Sequence, residues 1–175
     1  MSPYAAPLLL ISLLLSSCSR RQAAADPSLV QEAQPFPGLA FLHVADPRAE
    51  PQLLAGWHPV EQGSWRWTEK HFAVALKAPA AGRHPKAAAL ELKFVLPIQL
   101  MARLQSITLA ATVNGVALAP RTYTKAGDQV YTQRVPAEAL ASGVARVDFL
   151  LDKALPPNNT DRRELGVVVS SVGLE

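Results

Sequence analysis

The chain has 175 residues, 17 of them Lys or Arg and 14 Asp or Glu, for a formal net charge of +3. The basic residues are scattered, and only Arg20-Arg21 and Arg162-Arg163 are adjacent, so there is no basic stripe of the kind that binds nucleic acid and no nucleic-acid partner is expected. A single cysteine, Cys18, excludes an internal disulfide framework.

The first element in chain order is an apolar run from Ala5 to Leu15. A membrane-spanning helix needs roughly 20 apolar residues; this run is much shorter and fits the hydrophobic region of an export signal. It ends in Leu15-Ser16-Ser17-Cys18, which resembles the lipobox of bacterial lipoproteins. The resemblance implies a signal peptide over residues 1–17, cleavage before Cys18 and diacylglycerol on the Cys18 thiol, hence a membrane as partner through that lipid. Acylation also accounts for the odd thiol in an exported chain. Two features depart from the pattern. Met1 to Pro7 contains no Lys or Arg, and Arg20-Arg21 follow the run, where positive charge resists translocation. Ser19 stands where an inner-membrane lipoprotein commonly carries Asp, so the resemblance points to the cell envelope and, in a diderm host, to the outer membrane. Residues 18–35 are rich in Ala, Gln, Pro and Ser and predict a flexible tether. Residues 36–175 are enough for one domain with its own core.

That domain predicts strands. In His71–Lys77, Phe72, Val74 and Leu76 alternate with polar or small residues, the period of a half-buried strand. Leu90, Leu92 and Phe94 alternate with Glu91 and Lys93. Pro97 to Gln105 reads as a loop with a turn of helix, in which Leu100, Met101 and Leu104 form either a short helix face or a partly buried loop. Ile107, Leu109, Ala111 and Val113 mark the next strand, and Asn114-Gly115 a hairpin turn, since both residues tolerate positive φ. Val116–Leu118 begins the return. Gln129–Val135 follows, then a helical turn over Pro136–Leu140 ended by Gly143. Val144–Leu151 and Val167–Leu174 complete the set. The expectation is an all-β antiparallel sandwich, jelly-roll-like, with seven to nine strands and at most one short helix.

One segment stands apart: Gly56-Trp57-His58-Pro59-Val60-Glu61, followed by Ser64-Trp65-Arg66-Trp67-Thr68. Together with Val113-Asn114-Gly115 and Asp161-Arg162-Arg163-Glu164-Leu165-Gly166, it resembles the small β-sandwich accessory domains of bacterial glycosyltransferases and surface-polysaccharide proteins. The resemblance spans about Leu54 to Leu174. Here, however, the domain stands alone behind a lipobox. The residues suit a sugar ligand: flat Trp57 and Trp65 for ring C–H groups, Glu61 and Arg66 for hydroxyls. A plainer reading makes Trp67 a core residue beside an outward Arg66, pairs Glu61 with Arg66, and makes Asp161 and Arg162 a structural turn with an ion pair, leading to Gly166.

Other chemistry has little support. His58 and Glu61 are three apart, a spacing that does not converge on a strand, so no metal site is expected. His43, His71 and His84 are isolated. Glu61, Asp128 and Asp161 are the carboxylates a glycosidase could pair, but nothing in the sequence aligns them. No nucleophile elbow, phosphate loop or dinucleotide fingerprint occurs, so neither a cofactor nor catalysis is expected. Asn158-Asn159-Thr160 matches a sequon but reads as a turn. The expected function is a membrane-anchored lipoprotein with a non-catalytic sandwich that binds carbohydrate or serves the envelope-polysaccharide machinery. The alternatives are a scaffold lipoprotein docking on an envelope protein and, behind it, a glycan-active enzyme. Metabolic labelling with a lipid precursor checks the N-terminal reading: the wild-type chain is labelled and Cys18→Ala is not.

Overall fold

The structure is a computed structural model that describes residues 37–79 and 88–175. Cys18, Ser19, Arg20, Arg21 and His84 lie outside the described residues. The strands are β1 (Phe41–His43), β2 (Leu53–Glu61), β3 (Trp65–Lys77), β4 (Ala88–Leu96), β5 (Ile107–Val113), β6 (Val116–Ala117), β7 (Arg121–Tyr123), β8 (Gly127–Val135), β9 (Val144–Leu151) and β10 (Val168–Leu174). One α-helix, α1 (Ile98–Leu104), and 3-10 turns over Pro47–Gln52 and Ala137–Leu140 connect them.

Every strand pairing is antiparallel, in the order β6-β5-β9-β3-β10-β4-β8, with β1 beside β10, β2 beside β3 and β7 beside β5. The sheet curls into a sandwich at β3. Its first turn of strand pairs with β10 (Val168 opposite Trp67), whereas His71 to Lys77 pair with β9. One layer therefore holds β2, β3, β9 and β5, and the other β1, β10, β4 and β8. Between them lies the alternation read from the sequence: Phe72, Val74 and Leu76, then Leu90, Leu92 and Phe94, then Ile107, Leu109, Ala111 and Val113, all buried. Phe72 and Phe149 stack across β3 and β9 with centroids 4.8 Å apart. Each such side chain contributes about 1.5–3 kcal/mol relative to exposure.

The architecture is the antiparallel sandwich expected, with more pieces than expected. Three of the ten strands, β1, β6 and β7, have two or three residues, too few for alternation to register. Residues 98–104 form a true α-helix rather than a loop. The reason is tertiary. Leu100 and Met101 are buried, and the Lys153 ammonium donates to the carbonyls of Leu104 (3.2 Å) and Ser106 (3.1 Å), serving the helix end from a distant segment. The turn at Ala137–Leu140 is 3-10 and capped by Ala141; Gly143, with φ +76°, follows and donates its N–H to Leu140 O at 3.1 Å.

The edges at β8 and β2 are treated differently. The edge of β8 is sealed by the segment after β6. Tyr123 donates its hydroxyl to the Val130 carbonyl (3.0 Å), and the fully buried Tyr131 donates its own to Ala119 (2.9 Å). Burial, reinforced by Tyr123, pushes the Tyr131 phenol up to about 12, so it stays a donor. The edge strand β2 is interrupted by register shifts and carries Pro59, devices that discourage edge-to-edge pairing.

Asn114 does more than turn the β5–β6 hairpin. Its φ of +47° suits Asn, and its side chain stitches the hairpin to the turn preceding β9. The amide donates to Ala139 O (2.7 Å) and Val144 O (2.8 Å), and its oxygen accepts from the Arg146 N–H (2.9 Å). Asn114→Gly keeps the backbone conformation but loses these bonds. It should lower stability by about 1–2 kcal/mol, seen as a reduced urea midpoint with an unchanged slope.

Candidate functional site

Arg66 is buried, only 7 % exposed, which corrects the outward placement expected from simple alternation. Its guanidinium is consumed inside the protein. Nε donates to Val44 O (2.8 Å), Nη1 to His58 O (3.3 Å), and Nη2 pairs with Glu50 of the first 3-10 turn. A buried cation is tolerable only when its donors are so satisfied. The expected Glu61–Arg66 pair does not form. Glu61 instead accepts from Arg163 at 2.6 Å.

Asp161 pairs with Arg163 rather than with Arg162, which is exposed. The side-chain bonds from Arg163 hold the Asp161 carboxyl down at about 2, and Asp161 first, then Glu61, raise the Arg163 guanidinium. Nothing in the sequence singles out Arg163 over its neighbour. Local geometry decides, because the Asp161 side chain also accepts the Arg163 N–H at 3.0 Å.

Trp57 is half-buried. Its indole N–H donates to Ala73 O (2.8 Å), and its ring meets the Phe72 ring edge-to-face at 5.2 Å. Gly56 beside it has φ +72°, and a Cβ there would lie 2.0 Å from His71 O, so only glycine lets β2 approach β3 this closely. Trp67 is half-buried against the core, and Trp65 is half-buried opposite Glu61 at the hairpin turn. Gly166 is a close-approach glycine too: a Cβ would sit 2.6 Å from Glu69 O. Its N–H donates to Thr68 O (2.7 Å), while His58 Nε2 meets Glu164 O at 2.7 Å. The segment that ends in Gly166 is thus sewn to the β2–β3 hairpin. The polar groups of Trp57, Glu61 and Arg66 are committed to that assembly.

A different surface offers room. On the outer face of β3, β9 and β5, a depression of about 230 Å³ is lined by His71, Ala110, Thr112, Asp148 and Leu150. Register explains it: His71 and Ala110 flank Leu150 in one row, and Ala73 and Thr112 flank Asp148 in the next. Small neighbours leave Leu150 and Asp148 standing over a low floor. Leu150 is 51 % exposed, unusual for leucine in the middle of a sheet.

Asp148 is fixed by Arg146, whose Nε and Nη2 donate to its two oxygens at 2.9 Å each, with His71 Nε2 3.3 Å away. Those bonds, Arg146 first, pull the Asp148 carboxyl below its usual range. Asp148 is therefore a permanent acceptor near neutral pH and a poor proton donor. Alternation alone marks Ala110 and Thr112 as small outward residues, a signal of the floor, while Ala73 and Ala75 on β3 are buried; which strands lie side by side is not written in it.

Among the described residues, no group of three His, Cys, Asp or Glu side chains is placed to hold a metal ion. No helix there is long and apolar enough to cross a membrane. No family profile and no curated protein matches the chain. Among solved structures, it is similar to a carbohydrate-binding module, CBM36, in complex with calcium and xylotriose, at TM-score 0.42 and 11 % identity over 73 % of this chain and 96 % of that one. It is also similar to CBM51-2 in complex with GlcNAc and INT domains from Clostridium perfringens ZmpB, at TM-score 0.38 and 10 % identity over 71 % of this chain and 25 % of that one.

The Arg66 assembly makes a stability prediction. Glu50 is 64 % exposed and rehydrates if its partner is lost, so the penalty falls on the carbonyls of Val44 and His58. Arg66→Met should lose about 2–4 kcal/mol in chemical denaturation. Arg66→Lys, which keeps a donor but not the fork, should lie between Met and the wild type.

Proposed function

We propose that the chain is an envelope lipoprotein, held to a membrane by lipid on Cys18, whose non-catalytic sandwich domain over residues 36–175 binds carbohydrate in the groove on β3, β9 and β5. The observation that carries the reading is the pairing of an aliphatic pad, Leu150 with Ala110, and a fixed carboxylate, Asp148, in one depression. A sugar ring has a C–H face and a rim of hydroxyls. Leu150 and Ala110 suit the first, and Asp148, Thr112 and His71 suit the second. Catalysis fits poorly, because Asp148 is the one carboxylate among the groove's lining residues and hydrolysis of a glycosidic bond calls for a facing pair.

The anchoring half rests on the lipobox resemblance and on the tether composition of residues 18–35. A lipid anchor would keep the domain at the membrane surface, and Ser19 after the lipid-bearing Cys favours the outer membrane if the host is diderm. Docking on an envelope protein is the competing use of the same chain.

Glycan-array screening of the detergent-solubilised full chain, followed by calorimetry, tests the proposal. Ala110→Trp should fill the groove and weaken the best glycan by at least about tenfold, or 1.4 kcal/mol, with the melting temperature unchanged. Trp57→Ala should instead lower the melting temperature, since its indole is structural. Glycan binding that survives Ala110→Trp would put the site elsewhere; no glycan binding at all would leave the docking role.

A further inference from the structure

The groove's polar end is built more tightly than a chance surface depression requires. Asp148 does not merely lie beside Arg146. The guanidinium fork takes one lone pair on each carboxylate oxygen, which fixes the rotation of the carboxylate plane. Arg146 is held in turn from its backbone, because its N–H donates to Asn114 Oδ1 at 2.9 Å. Asn114 is itself tied to Ala139 O and Val144 O. A relay of Asn114, Arg146 and Asp148 thus connects the β5–β6 turn to the groove. Each carboxylate oxygen can accept about two hydrogen bonds; Arg146 takes one on each and His71 lies 3.3 Å from Oδ1, so acceptor capacity remains on Oδ2.

Charge narrows the ligand further. The titratable residues that alternate onto this face are Glu69, His71 and Lys77 from β3, and Arg146 and Asp148 from β9; β5 contributes none. Arg146 is committed to Asp148, and Lys77 pairs across from Val144 at the far end of the strands from His71. Arg146 and Asp148 balance as an ion pair, as Glu69 and Lys77 do in number, so the face carries no excess positive charge to draw an anionic ligand. A ligand carboxylate would approach Asp148 with no uncommitted Arg or Lys among the lining residues, a like-charge contact that a partly dehydrated groove penalises.

We infer that the groove recognises a vicinal hydroxyl pair on an uncharged sugar ring. Asp148 accepts from one hydroxyl through Oδ2, Thr112 serves the other, Leu150 takes the C–H face, and Arg146 and Asn114 act as positioning residues. The inference rests on the carbohydrate reading above and specifies its substrate class. It separates two roles: Asp148 touches ligand, whereas Arg146 acts through the orientation of Asp148.

Calorimetric titration of the detergent-solubilised full chain against maltotriose, cellotriose, mannotriose and trigalacturonate tests it. At least one neutral trisaccharide should bind, and trigalacturonate at least about tenfold more weakly. Asp148→Asn, which keeps shape and removes charge, should reduce neutral-sugar affinity by about tenfold or more. Arg146→Lys should weaken binding less. It should also move the Asp148 carboxyl titration, followed by carbon NMR, up towards the ordinary aspartate value of 3.8, at an unchanged melting temperature. Trigalacturonate binding as tightly as the neutral sugars, or neutral-sugar binding unaffected by Asp148→Asn, would overturn the inference and leave the carbohydrate reading standing. Failure of all four sugars, with no glycan retained on the array, would remove the carbohydrate reading itself.

Discussion

The burial of the Arg66 guanidinium organises the half of the sandwich where the two layers meet. Three stretches of backbone converge on one side chain: the end of β1 through Val44, β2 through His58, and the first 3-10 turn through Glu50. A cation placed at such a depth must have its donors filled, and filling them fixes how the chain enters and leaves β2. Glu50 sits at the solvent boundary, so its charge balances Arg66 without a second full desolvation. From this point β3 runs on to pair with β10 and then β9, and that change of partner curls the sheet.

Around Arg66 lies a set of contacts that serves the same end. Thr68 is fully buried and bonded to Gly166 and Val167 through both backbone and hydroxyl. Glu61, Arg163 and Asp161 tie the hairpin to the segment before β10, and His58 adds a bond to Glu164 O. Gly56 and Gly166 let backbones meet at distances that a side chain would forbid. The residues that make the sequence distinctive, three tryptophans with a Glu and an Arg, are thus largely occupied in joining layers. Their aromatic and charged character suits a sugar, but the Trp57 indole N–H, the Arg66 guanidinium and a Glu61 carboxylate oxygen are used internally, and the groove lies on the outer face of β3, β9 and β5.

That face gets its shape from what is absent from each side chain. Ala110 and Thr112 on β5 stand low beside Leu150 and Asp148 on β9. The sandwich supplies rigidity, and the relay from Asn114 through Arg146 supplies a fixed acceptor. Binding to such a preformed site loses little entropy in ordering the protein, which is why modest contacts can suffice.

Much of the fold was legible in order along the chain. Phe72, Val74 and Leu76, and Ile107 through Val113, follow a period of two because neighbouring side chains on a strand point to opposite faces, a rule that needs no partner. Asn114-Gly115 declared its turn because positive φ is a local property. Even the small outward residues of the groove were implied by the same alternation. By contrast, partner choice could not be read. Arg163 meets Glu61 across 102 positions, Arg66 turns inward to Glu50, and Lys153 stabilises the end of a helix 49 residues earlier. Short-range pattern determines which face a side chain takes; which charges meet, and where a hollow is left between strands, depends on strand order and register, and these exist only once the sheet has closed.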